Sequence, residues 1–282
     1  MFKKSLLMVV SLILANVALA TDLTLLKNPY SVTSIRLKTE IYAKHMAHPT
    51  LTVETINVDA KNQRVLKFSD LVSDQEKALK IIATYSQAYL LKKVNMPADF
   101  FKIGTAPLLE NYSHWNINSE YLEITFDRAQ VTPSYYGLQV VDIPLSLLAD
   151  VLNPTFFPNL FKLQAGDLLF QDLACGKLCD GINSTTHGYK NTVVSHVGMV
   201  VSINNSEPMV IEALSSGVKL TSLNEFLVRS LDKDGHPRVM VGRVNDQTQA
   251  LIPAAIRDAM HDLNAPYNAT FSPDAKGFYC SQ

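Results

Sequence analysis

Apolar positions recur along this chain at two different periods, and each change of period marks an element. "TLTVETINVD", residues 50–59, alternates β-branched with polar side chains, the two-residue period of a half-buried strand. "AKNQR" then turns the chain into "VLKFSDLV". Over 73–93, "SDQEKALKIIATYSQAYLLKK" sets Leu79, Ile82, Ala83, Tyr85 or Ala88, and Leu90 at helical spacing, which predicts an amphipathic helix. In "YLEITFDRAQVTPSYYGLQVVDIPLSLLADVL", 121–152, Leu122, Ile124 and Phe126 alternate with charged or polar residues. That alternation predicts a strand with one face buried and one wet. Sheet plus helix makes the first region an α+β unit.

"NPTFFPN", 153–159, carries two prolines that can continue neither a helix nor a central strand, so a domain boundary is expected there. Beyond it, "LQAGDLLFQDLACGKLCDG" reads as a turn feeding a strand, and "SHVGMVVSI", 195–203, as a second apolar strand opening on His196. "PMVIEAL", 208–214, is a third, with Glu212 its only charge, and "RVMVGRV" a fourth. A helix over "ALIPAAIRDAMHDL" leads into "NAPYNATFSPDAKGFYCSQ". The expected domains are 21–152 and 160–282, preceded by a leader over 1–20.

The leader reads as a signal peptide: Lys3 and Lys4 open it, "LLMVVSLILANV" is its apolar run, and Ala18-Leu19-Ala20 is the expected cleavage site. Export across the inner membrane to the periplasm or beyond is expected, and with it an oxidising environment. No later stretch approaches eighteen consecutive apolar residues, so no membrane span is expected after cleavage. Lys and Arg number 25 against 26 Asp and Glu, and losing Lys3 and Lys4 tilts the balance further to acid. A nucleic-acid binder needs a basic face to displace counterions, and this balance excludes that class.

Three cysteines is an odd number for an exported chain. Cys175 and Cys179 stand four residues apart, which on a helical turn brings their Cα atoms within about 6 Å, inside disulfide reach. Pairing them leaves Cys280 as the single thiol. A zinc site on "CGKLC" would require two further ligands nearby, and His45 and His48 in "HMAH" lack a third ligand, so no metal is expected. A thiol nucleophile needs an imidazole to take its proton, and the imidazole needs an acceptor on its other nitrogen. His196 and Glu212 can supply both. A short turn around "NNSE" would make their strands antiparallel neighbours, with Val197–Ile203 against Met209–Ala213 and both side chains near one sheet edge. Glu212 inside an apolar strand is costly unless paired.

Two resemblances follow from these segments. "VLKFSDLV" with its helix, then "EITFDRAQVTPSYYG" and "VVDIPLSLL", resembles the extracytoplasmic C-terminal domain shared by the anti-sigma factor RsiV and the peptidoglycan deacetylase PdaC, over Leu51 to Leu152. That resemblance implies envelope recognition, with a lysozyme-like protein as a partner. The order "GDLLF", "SHVG", "VIEA", "PYN", "YCS" resembles the circularly permuted NlpC-type papain-like hydrolases, the YiiX/YaeF group, from Leu163 onward. It implies a small sheet-plus-helix domain followed by a permuted papain-like α+β domain. It also implies a Cys280, His196 and Glu212 triad, no cofactor, and substrate contacts at Tyr267, Tyr279 and Ser195. The expected reaction is cleavage of an amide through a thioester, in peptidoglycan stem peptides or in N-acyl, lipid-like amides. The other expected class is an inactive hydrolase fold that binds the envelope. Gln282 stands where the family has Glu, and the chain stops there, so a C-terminally incomplete copy is expected.

Overall fold

The alternating text at 50–59 is a strand in the computed structural model, which describes residues 20–41, 50–202, 208–272 and 274–282. The leader up to residue 19, the pair His45 and His48, and the "NNSE" turn lie outside the described residues. The chain divides into two compact units, Met1–Lys162 and Leu163–Gln282, and each mixes helices with antiparallel sheet. Among the described residues no helix is long and apolar enough to cross a membrane.

In the first unit β1 (Ala20–Leu26), β2 (Val32–Ile41), β3 (Thr50–Asp59) and β4 (Arg64–Val65) pair antiparallel in that order. Asp59 holds the turn after β3, its carboxylate accepting from the backbone N–H groups of Lys61 and Asn62 at 2.9 and 3.0 Å. Only Arg64 and Val65 of the returning segment stay in the sheet. Asp70 accepts from the Lys67 N–H at 2.8 Å and turns Phe68–Leu71 into a short helix. The long helix runs Gln75–Lys93, capped by Asp74, and buries Leu79, Ile82, Ala83, Tyr85 and Leu90. It packs on β7 (Gln139–Pro144), the edge of a second sheet with β5 (Trp115–Ile117) and β6 (Tyr121–Phe126).

The wet face predicted for β6 is a correction. Leu122, Ile124 and Phe126 are fully buried, but Glu123 and Thr125 are buried too. The reason is β2, whose Arg36 pairs with Glu123 from the far side. Burial pushes the Glu123 carboxyl up, against the pull of Arg36. Phe156 and Phe157 of "NPTFFPN" are buried in this unit, Phe157 edge-on to Tyr30 with ring centroids 4.8 Å apart, and the units part after Lys162.

The second unit is built on five antiparallel strands in the order β11-β10-β9-β8-β12. These are β8 (Leu168–Gln171), β9 (His196–Ser202), β10 (Met209–Leu214), β11 (Gly217–Ser222) and β12 (Val239–Gly242). A helix at Leu223–Arg229, capped by Ser222, packs on β10 and β11 with Phe226 fully buried, a contribution of about 2–3 kcal/mol for a side chain of that size. Ile211, Ala213 and Val218 form the core of the other face. Ala259 of the helix Ile252–His261, together with Ala265, Tyr267 and Phe278, packs against them. The register of β9 with β10 shifts between Met209 and Val210: Met209 faces Ser202, but Val210 faces Val200. Carried on, the shifted register sets Glu212 opposite Gly198, on the face His196 shares. Without this bulge Glu212 would point to the opposite face.

Candidate active site

Three segments of the second unit converge on His196. The strand start is clamped first. The Ser195 N–H donates to the Gln171 carbonyl at 3.0 Å, and Ser195 Oγ accepts from the Leu173 N–H at 2.8 Å. Ser195 is buried with its hydroxyl turned to the main chain, which makes it a brace for the residue that follows. His196 then lies against Phe226, ring centroids 6.0 Å apart, and is 5% exposed. Its Nε2 stands 2.7 Å from Glu212 Oε2.

Glu212 is saturated with partners. Arg229 grips it with both arms, Nη1 to Oε2 and Nη2 to Oε1, each at 2.7 Å. Thr221, on β11, donates its hydroxyl to Oε1. Burial alone would raise the Glu212 carboxyl, but hydrogen bonds from Arg229, His196 and Thr221 bring it down to about 2. It is therefore an anion at neutral pH. Burial likewise pulls His196 down, and hydrogen bonds to Cys280 and Glu212 with their charges more than offset it, so its proton affinity is raised.

Cys280 reaches the imidazole through a chain of backbone contacts. Asn264 N–H and Ala265 C=O bond Val218 of β11, each at 2.9 Å. Phe278 pairs in parallel with Tyr267, its N–H on Pro266 O and its C=O on the Asn268 N–H, each at 3.0 Å. Gly277 makes this possible: at φ +99°, a Cβ there would sit 2.2 Å from the Pro266 carbonyl oxygen. Cys280 is half-buried and is the free cysteine, because Cys175 and Cys179 are bonded to each other with Cα atoms 5.2 Å apart. Tyr267 is raised by burial and then by the nearness of Cys280. Phe271 stands edge-on to Tyr267 at 6.3 Å and tilted against Tyr279 at 5.5 Å, so three aromatic rings adjoin the thiol segment.

Cys280, His196, Glu212 and Tyr267 are thus brought together, with Tyr279 beside them. Arg229, Thr221, Phe226 and Phe271 were missed by the sequence reading. A signal for Arg229 existed: "SLNE" at 222–225 has the spacing of a capping box, and a helix starting there carries its last-turn Arg back over the strand that holds Glu212. Nothing local pointed to Thr221 or Phe271. His187 and His261 are exposed, and His236 lies 3.6 Å from Asp232; none adjoins the site. Among the described residues no group of three or more His, Cys, Asp or Glu could hold a metal ion.

Comparison with known proteins agrees with this division. Residues 69–146 match a family of proteins of unknown function, DUF3298. Over 112 residues the chain is 33% identical to the peptidoglycan-N-acetylmuramic acid deacetylase PdaC of Bacillus subtilis, covering 39% of this chain and 24% of that one. Among solved structures, a DUF3298 protein of Pseudomonas aeruginosa is 25% identical, with a TM-score of 0.39 over 46% of this chain and 59% of that one. Another from Bacteroides fragilis is 18% identical, with a TM-score of 0.38 over 47% of this chain and 53% of that one. Residues 162–282, which hold all of the site described above, match the family of permuted papain-like amidase enzymes, YaeF/YiiX, C92 family.

Proposed function

We propose that the second unit is a cysteine amidase in which Cys280 is the nucleophile, His196 the general base and then acid, and Glu212 the acceptor that orients it. One observation carries this reading: a single buried imidazole bonded to both a thiol and an ionised carboxylate. An ionised carboxylate can only accept, so the ring nitrogen facing Glu212 is Nε2–H, and Nδ1 is the nitrogen free to take a proton. Nδ1 removes the Cys280 proton as the sulfur adds to the carbonyl carbon of the amide. The backbone N–H of Cys280 and one further donor hold the oxyanion. The imidazolium then protonates the leaving nitrogen, the C–N bond breaks, and the acyl group remains on Sγ as a thioester. Water, deprotonated at Nδ1, attacks that thioester, releasing the acid and restoring the thiol. Tyr267 and Tyr279 border the bound acyl group, and Ser195 acts through the strand start rather than on the substrate.

The favoured substrate is an amide of a peptidoglycan stem peptide, because the curated relative of the first unit is a peptidoglycan deacetylase. On this reading the protein works outside the inner membrane, periplasmic or extracellular, and the first unit recognises the envelope. The test is turnover of the full chain on a panel of muropeptides and N-acyl amides, with Cys280→Ala and His196→Ala as controls. Muropeptide cleavage by the wild type alone supports the assignment, and cleavage of N-acyl amides alone moves the substrate to lipid-like compounds. No turnover, with Cys280 alkylated by iodoacetamide no faster than a small reference thiol, would leave a binding module and refute the hydrolase.

A further inference from the structure

The triad residues leave one charge unused, and it sits directly on the orienting acid. Glu212 has no exposed side-chain surface, and its two oxygens are shared among three donors. Both arms of Arg229 are among them, while His196 reaches Oε2 alone. The guanidinium is held in turn by its own helix: it lies over the Phe226 ring, 5.5 Å from the centroid, and that ring packs against His196. Gln171, opposite His196 in the β8–β9 register, donates Nε2–H to the Phe226 carbonyl at 2.6 Å and ties the same helix to the sheet. One helix therefore supplies both the packing of the base and the counter-charge of the acid.

A carboxylate facing imidazole in a buried site stabilises the imidazolium, and with nothing to share its charge it would keep the base protonated and idle near neutral pH. We propose that Arg229 is a positioning residue of the hydrolytic site: its guanidinium locks the orientation of Glu212 and, by sharing the carboxylate's charge, holds down the proton affinity of His196. The proposal rests on the reading of His196 as the base. The groups facing that base are Glu212 from β10, Cys280 from the C-terminal segment, and uncharged Phe226 and Gln171. One shell further out, Lys219 stands opposite Glu212 in the β10–β11 register, Glu225 acts on Arg229, and Tyr267 lies near Cys280. Of these, Cys280 is the group hydrogen-bonded to His196 on the side away from Glu212, so removing it isolates the imidazole with its carboxylate.

The experiment is an NMR titration of the His196 ring in the full chain carrying Cys280→Ala, alone and with Arg229→Gln, Arg229→Lys or Thr221→Val. Arg229→Gln removes the charge and should raise the proton affinity of His196 on the order of tenfold. Arg229→Lys keeps the charge without the fork and should stay within about twofold, as should Thr221→Val, which removes a hydrogen bond but no charge. Ring nitrogen shifts should report the Nε2–H tautomer above the midpoint in Cys280→Ala itself. A guanidinium that merely staples helix to sheet predicts a lower melting temperature in Arg229→Gln with an unmoved titration, and that result overturns the proposal. If Arg229→Gln does not fold, a tenfold rise in Arg229→Lys, where the charge is retained, overturns it equally. Absence of turnover in the wild type together with unaccelerated alkylation of Cys280 would refute the amidase reading but would leave the titration result standing.

Discussion

Replacing Glu212 by Gln is a sharper perturbation than it looks from the triad alone. Seen only as the partner of His196, Glu212 could be replaced by an amide oxygen with modest loss. The structure makes that substitution costly, because the amide nitrogen must face one arm of Arg229 together with either the His196 or the Thr221 donor. The magnitude follows from linkage. With the carboxyl at about 2 in the folded chain and 4.5 as its ordinary value, ionisation of Glu212 contributes about 3 kcal/mol of stability at neutral pH. A depressed carboxyl stabilises above its unfolded value and loses that contribution as pH falls through its folded one, so the window is about pH 4.5 to 2. Gln mimics the protonated acid. The stability difference between wild type and Glu212→Gln should be about 3 kcal/mol at pH 7 and under about 0.5 kcal/mol near pH 2, while other carboxylates cancel in the comparison. Calorimetry of the full chain reads it. Trp115, the single tryptophan, lies in the first unit, so the transition seen by heat but not by tryptophan fluorescence belongs to the second. A difference that stays constant from pH 7 to 2.5, or no difference at all, would show that the Arg229 and Thr221 contacts do not hold the charge.

Gly277→Ala should displace Cys280 without touching any reacting group. The positive φ and the contact with the Pro266 carbonyl predict a loss of several kcal/mol at that strap, on the order of 2–4, and alkylation of Cys280 should fall to the rate of a free thiol. Unchanged alkylation and melting in that variant would remove the strap from the account. Reduction of the Cys175–Cys179 bond should cost at most about 2 kcal/mol, since the residues are only 4 apart in sequence. Non-reduced peptide mapping should show that bond with Cys280 as a free thiol; Cys280 bonded to either partner would end its assignment as nucleophile.

Much of this protein was legible from its local text. The strand at 50–59, the helix to Lys93 and the strands opening on His196 and carrying Glu212 follow from side-chain period, because a strand alternates faces every residue and a helix returns every third or fourth. The Cys175–Cys179 bond was expected from four-residue spacing on a helical turn; the pair does bond, but Cys175 lies ahead of the helix Lys177–Thr185 and is brought to Cys179 by the turn at Gly176. What period cannot encode is which distant group meets a charge. Glu123 was read as wet because its own strand alternates, yet Arg36, 87 residues earlier, covers it. Glu212 and His196 share a face only because β9 accommodates one extra residue, Val201, opposite the Met209–Val210 step, an irregularity that no alternation announces. Arg229 meets Glu212 because the helix after β11 folds back over β10, and its charge then sets the ionisation of the acid. Burial and charge pairing are properties of the assembled sheet and helix, since desolvation and Coulomb energy depend on distance in space and not on position along the chain.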